Sequence, residues 1–199
     1  MKKCLLIVAV LFVATTTFAQ KKKTPKATAT AALAKLNNLS MELIKDNLYL
    51  FIENKGAKKD TILLKKYDVK GNPTDCKITA FTTKGTPLHL ISWAETAVSE
   101  SKEKTESKTM QYNEIWNIKT KSKALSNLQT TTKIKEIQYL DKLKNASQTV
   151  DKIRNEGLAF TLTKEGDVNL KNKTQENNLS YNASSNVYQN LKDLAPKKK

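Results

Sequence analysis

Arginine is nearly absent from this chain, and so is histidine. Arg154 is the single arginine and His89 the single histidine among 199 residues. With one histidine, no His-based metal site and no histidine pair can be assembled. A serine nucleophile would depend on His89 as its base, and no Gly-x-Ser-x-Gly elbow supports that pairing. One arginine also limits recognition. Bidentate reading of phosphates, carboxylates or base edges favours the guanidinium fork. Specific nucleic-acid recognition is therefore not expected. The charge is instead carried by lysine, with 35 Lys plus Arg against 19 Asp plus Glu and a net charge of +16. Lysine gives a diffuse, salt-sensitive attraction to polyanions, and it also serves as a solubilising coat.

Cysteine is equally scarce. Cys4 lies in an amino-terminal stretch with the form of a secretory signal: Lys2 and Lys3, an apolar run from Leu5 to Val13, then Thr17-Phe18-Ala19. Export through the Sec pathway to the periplasm or the exterior is expected, with cleavage after Ala19. Cys4 sits at the start of the apolar run, which argues against a lipoprotein anchor. Cleavage leaves Cys76 alone, so no internal disulfide can form and the domain must be held by its core. Cys76 is then either an ordinary packed thiol or one that pairs between chains. No apolar run approaches the roughly 20 residues of a transmembrane helix.

Motifs for phosphate, dinucleotide or calcium binding are also missing, and no cofactor is expected. Cys76 and His89 lie near strand ends of one hairpin, without a local signature for a thiol–imidazole pair. The acids, such as Glu100, Glu103 and Glu106, sit in lysine-rich polar turns where solvation explains them. Asn-x-Ser/Thr sequons at Asn38, Asn145, Asn172, Asn178 and Asn182 are read as chance products of an Asn-, Ser- and Thr-rich chain.

What is present is mostly β-pattern. Lys77 to Val98 is the densest apolar stretch, two β-prone runs joined by Lys84-Gly85-Thr86-Pro87. It reads as a central antiparallel hairpin. Gly85 accepts a positive φ, and Pro87 fixes φ where the next strand starts. The second run alternates imperfectly: Leu88 and Leu90 fall on one face, Ile91 and Trp93 on the other. Either both faces are covered or a bulge shifts the phase.

Elsewhere, Leu48–Ile52 reads as a strand buried on both faces, followed by a strand over Thr61 to Tyr67. Ser99 to Ser107 reads as the polar tip of a long hairpin returning through Thr109 to Lys119. Leu128 to Leu140 is a further β-rich run. Leu158, Phe160, Leu162, Val168 and Leu170 predict a hairpin closed by a three-residue loop, Glu165-Gly166-Asp167. Leucines 33, 36, 39 and 43 recur at helical spacing and predict an amino-terminal helix over 31–45. Leu143, Ala146, Val150 and Ile153 fit either a second helix over 141–155, capped by Asp141, or an edge strand.

The organisation expected is a signal peptide over 1–19, a basic leader over 20–30, one β-rich domain over 31–191 and a basic tail over 192–199. The fold class is mainly β. The first expectation is an antiparallel up-and-down meander, barrel-like or strongly curved, because closure removes exposed edges. A sandwich, or an open sheet with a helix packed on it, is the second. The function expected is that of an exported, non-enzymatic domain that binds a ligand or an envelope component. Trp93, Tyr112, Trp116 and Tyr139 are the candidate ligand-binding residues, since rings on sheet strands can line a pocket for a small apolar or sugar ligand. The alternative is a lysine-rich module held to anionic lipid, polysaccharide or a partner by salt-sensitive electrostatics.

Overall fold

The computed structural model describes residues 32–54, 56, 58–67 and 72–191. The segments read as signal peptide, basic leader and basic tail lie outside the described residues.

The described residues form thirteen strands in three antiparallel sheets, and within each sheet the strands pair in sequence order. The first sheet holds β1 (Ala34–Leu36), β2 (Leu39–Ile44), β3 (Asn47–Ile52) and β4 (Asp60–Lys66). The central sheet holds β5 (Thr74–Thr83), β6 (Thr86–Glu100), β7 (Lys104–Asn117), β8 (Ser122–Tyr139) and β9 (Ser147–Gly157). The third holds β10 (Ala159–Leu162), β11 (Val168–Lys171), β12 (Glu176–Asn182) and β13 (Val187–Asn190).

The central hairpin is β5–β6, turned by Lys84-Gly85 with both residues at positive φ, 48° and 75°. Its two-faced apolar run is explained by burial on both sides. Ile78, Ile91, Trp93 and Trp116 pack against Leu39, Met41, Leu48, Leu50 and Ile62 of the first sheet. Leu88, Leu90, Ile115 and Ala124 pack against Val168, Leu170, Tyr181 and Tyr188 of the third. The architecture is therefore three layers with the central sheet in the middle. The expected antiparallel, mainly β chain is present, but among the described residues its meander is divided into three sheets and does not close into a barrel. A barrel needs one inward face per strand, whereas β6 buries both.

Sheet boundaries are marked by backbone geometry. One residue, Leu158, separates β9 from β10. Gly157 has φ +80°, and a Cβ there would lie 2.4 Å from the Leu128 carbonyl oxygen. Only glycine fits such a bend against a neighbouring backbone. Asn127 Nδ2 donates to the Leu158 carbonyl at 3.0 Å and holds the new direction.

The helix expected over 31–45 is replaced by the β1–β2 hairpin, with Ala34 opposite Met41 and Leu36 opposite Leu39. Asn37, at φ 50°, makes the turn with Asn38. Asparagine tolerates this region better than most residues, and Asn-rich pairs favour such hairpins. The helix expected over 141–155 is likewise absent; the edge-strand alternative is what forms, as β9. Leu143 is 80 % exposed, so the helical periodicity had no partner to bury it. Asp141 still caps, but it caps a loop: its carboxylate accepts from the backbone N–H groups of Asn145 and Ala146, each at 3.0 Å.

Two smaller differences follow the same logic. In β3, Leu48, Leu50 and Ile52 are buried, whereas Tyr49 and Phe51 are half-buried, so one face is fully covered rather than both. The β10–β11 hairpin pairs Phe160 with Leu170 and Leu162 with Val168. Thr163 N–H then bonds the Asp167 carbonyl at 2.9 Å, which shifts the three-residue loop by one, to Lys164-Glu165-Gly166. The Thr163 hydroxyl drives the shift by accepting from Asp167 N–H at 3.1 Å.

The distal halves of β6 to β9 extend as an arm. Residues 96–100 of β6 and most of β9 are exposed.

Candidate functional site: a buried charge network and a lysine-lined groove

The structure brings together three of the four ligand-binding candidates and separates the fourth. Trp93 and Tyr112 are cross-strand partners whose rings stack at 4.8 Å with 5° between planes. Trp116 belongs to the same core cluster. Trp93 and Trp116 are buried, so these indoles pack the interface between the first and central sheets. Tyr139 lies far away at the arm tip, where its hydroxyl donates to Glu103 Oε1 at 3.1 Å.

Around Trp93 and Tyr112 lies a network that the sequence pattern did not reveal. Glu95 is buried two residues along β6 from Trp93. Its Oε1 accepts from Lys65 Nζ at 2.8 Å, from the Tyr67 hydroxyl at 2.8 Å and from Trp93 Nε1 at 3.0 Å. Its Oε2 accepts from Lys65 Nζ at 2.7 Å. Lys65 also donates to the Tyr112 oxygen at 2.6 Å. The ammonium lies 4.2 Å from the Tyr112 ring centroid, but the short contact to the hydroxyl makes this mainly a hydrogen bond.

A bulge places Lys65. The register between β3 and β4 shifts where Leu48 faces Lys65 and Tyr49 faces Leu63, so Leu64 is the extra residue. Lys65 thereby joins the inward side that Ile62 occupies. The Lys65 pKa is subject to opposing effects: burial lowers it, whereas the bonds to Glu95 and Tyr112 raise it and win. Burial, then the bond to Glu95, pushes the Tyr67 hydroxyl far above its ordinary range.

A second carboxylate repeats the arrangement. Glu114, also buried, accepts from Trp116 Nε1 at 2.8 Å, from Lys123 Nζ at 2.7 Å and from the Ser126 hydroxyl at 3.3 Å. Glu95 thus accepts four hydrogen bonds and Glu114 three, and such carboxylates tie strands together.

Cys76 and His89 do not meet. Cys76 sits at the β5 bulge between Thr74 and Lys77, while His89 pairs with Ala80. Four residues of strand separate them, roughly 13 Å. Burial, and then Asp75, pushes the Cys76 thiol up to about 11. Burial lowers the His89 pKa, and His89 Nδ1 is buried without a partner. A raised thiol pKa is the opposite of what a nucleophile needs.

The open concavity lies elsewhere. Where the chain bends at Gly157, the outward residues of β10 and β11 turn toward the uncovered face of the arm. They enclose a groove of about 730 Å³. Gln129, Ile153 and Asn155 line one wall, with Thr161, Asn169 and Lys171 on the other; Asn172, Lys173 and Thr174 close the end. Arg154 stands at the rim, with its guanidinium bonded to Glu156 at 2.9 Å. Among the described residues, no carboxylate lines the groove. Glu176 approaches from β12, 3.3 Å from Lys171, and is held ionised by Asn169 and Lys171. Among the described residues, Lys173 has no ion-pair partner.

This groove has neither aromatic rings nor apolar periodicity. The one signal for it was the polar run Asn169-Leu170-Lys171-Asn172-Lys173-Thr174, which reads as an ordinary hairpin end. No protein-family model, curated protein or solved structure matches the chain.

Proposed function

We propose that the chain is an exported, non-enzymatic binding module whose ligand is anionic and sits in the groove between the arm and the third sheet. The carrying observation is the composition of the groove wall: lysine, amide and hydroxyl side chains without a lining carboxylate. Amides and hydroxyls bond polar ligands in either sense, and the ammonium of Lys173, without an ion-pair partner among the described residues, adds to that of Lys171, shared with Glu176, to select negative charge. Lys2, Lys3, the apolar run Leu5 to Val13 and Ala19 support export. The engagement of Glu95 and Glu114 in strand-to-strand hydrogen bonds, and the separation of Cys76 from His89, support a binding role over a hydrolytic one. The small apolar ligand loses support, because Trp93 and Trp116 are core residues and Tyr139 is remote.

The test is binding of the purified chain to polygalacturonate and to uncharged dextran, at about 0.05 M and about 0.5 M salt. Polygalacturonate retained at low salt and released at high salt, with dextran not retained, is expected. Lys171→Gln with Lys173→Gln should weaken retention on the order of tenfold, corresponding to about 1.4 kcal/mol. Equal retention of both polymers, or no response to salt, contradicts the reading.

A further inference from the structure

We infer that the ligand is a linear acidic polysaccharide that runs out of the groove along the arm, and not a compact anion. This rests on the anionic-ligand reading above. A second concavity of about 390 Å³ lies on the same face of the arm and shares Ile153 with the first. The register connects them. Thr96, Thr109, Thr131 and Asn155 form one cross-strand row; Val98, Ser107, Lys133 and Ile153 form the next. Thr131 bonds Asn155 at 2.9 Å, and Thr96 bonds Thr109 at 3.4 Å, so the first row is an ordered band of hydroxyls and amide.

Lys133 and Lys135 stand two residues apart on β8, hence on one face and roughly 7 Å apart. Neither forms an ion pair among the described residues. The row beyond carries Glu100 and Asp151 on either side of Thr105 and Lys135, so the favourable strip ends there. From Ile153 to Gly157 the strip runs four residues, roughly 13 Å. The groove lengthens it further. That length exceeds any compact inorganic anion or single sugar.

The chemistry also separates polymers. Single-stranded nucleic acid is normally held by bases stacked on aromatic side chains. From the Gly157 row to the Lys133 row the strip carries serine, threonine, amide and lysine, with Ala94, Val98 and Ile153 as its apolar members and no aromatic ring; Glu100 and Asp151 enter only in the Lys135 row beyond. Hydroxyls and carboxylates of an acidic glycan match that set.

The experiment compares galacturonate oligomers of two and eight sugars against the full chain, its Lys133→Gln/Lys135→Gln variant and its Lys171→Gln/Lys173→Gln variant. These lysines are exposed or near the surface, and a thermal melt verifies that each variant is folded. The octamer should bind at least about tenfold tighter than the dimer, because added anionic sugars engage added cations. Lys133→Gln/Lys135→Gln should remove that advantage and leave dimer binding unchanged. Lys171→Gln/Lys173→Gln should weaken both. If dimer and octamer bind alike, and only the Lys171/Lys173 variant responds, the extended track is wrong while the groove reading stands. If neither oligomer binds, both are wrong. Tighter binding of an unstructured oligothymidylate than of the octamer overturns the polysaccharide assignment.

Discussion

The two interfaces of the central sheet are built from different materials. Against the first sheet, the core encloses two carboxylates and their indole donors, with Lys65 and Lys123 reaching in from partly exposed positions. Against the third sheet, the buried cluster is Leu88, Ile115, Ala124, Val168, Leu170, Tyr181 and Tyr188. Its tyrosines bond neutral groups: Tyr181 donates to Asn186 Oδ1 at 2.7 Å, and Tyr188 donates to the Gly166 carbonyl at 2.7 Å. The contrast separates two ways of fixing how sheets pack. An apolar interface tolerates small slips, because dispersion and burial are non-directional. A buried ion pair costs desolvation, yet it accepts one geometry only. Here the Lys65 bulge and the Glu95 network set the register of the first sheet on β6. The third sheet is instead oriented by the Gly157 bend and the β10–β11 loop.

Breaking the charged interface should have the largest effect. Glu95→Ala leaves Lys65, Tyr67 and Trp93 without their acceptor. The loss should be about 3 kcal/mol in urea unfolding, at the low end for a buried pair because the Lys65 side chain is 25 % exposed. Adding Lys65→Met should restore at least about half of it, since an apolar replacement removes the orphaned charge. A double variant no more stable than the single would show that the network is ordinary packing.

Breaking the neutral interface should cost less. A Cβ on Gly166, at φ +85°, would lie 2.5 Å from Thr83 Cβ. Gly166→Ala should destabilise by about 2 kcal/mol through combined strain and crowding. Gly85→Ala is the control: φ is +75°, but nothing lies within 4 Å, so about 1 kcal/mol of backbone strain alone is expected. Equal losses would mean that the loop does not brace β5.

The smallest and most diagnostic effect is in pH. Lys65 and Tyr67 have raised pKa values in the folded chain. A raised value contributes stability that is complete below the unfolded pKa, about 10 for both residue types, and is lost as pH rises through the folded value. Unfolding free energy should therefore decline above about pH 10. Tyr188 has a raised value too, from burial first, so a residual decline should persist in the Glu95→Ala/Lys65→Met chain, with a shallower slope. An identical slope would remove the network from the account.

Much of the fold was legible because turns announce themselves. Lys84-Gly85 and the run around Glu165-Gly166 mark hairpins by residue type, and β-branched runs mark their strands. The β10–β11 loop was displaced by one residue because the Thr163 hydroxyl competes for the Asp167 N–H, a side-chain effect that alternation does not encode. Leucines 33 to 43 were misread because a hairpin turned at Asn37-Asn38 resets their phase and mimics helical spacing. Three layers were indistinguishable from a barrel with a bulge until both faces of β6 had partners. Lys65 gave no sign that it points inward, since the bulge at Leu64 is a tertiary event. The groove was invisible because polar residues that line a concavity have the composition of polar residues that do not.

The most direct measurement is hydrogen exchange of the purified chain with and without polygalacturonate at low salt. Added protection at residue 129 and across 153–162 and 169–175, extending to 131–135 with the longer polymer, is the result expected. Protection centred on residues 45–66, or none above the noise anywhere, would contradict the placement of the ligand site in the groove.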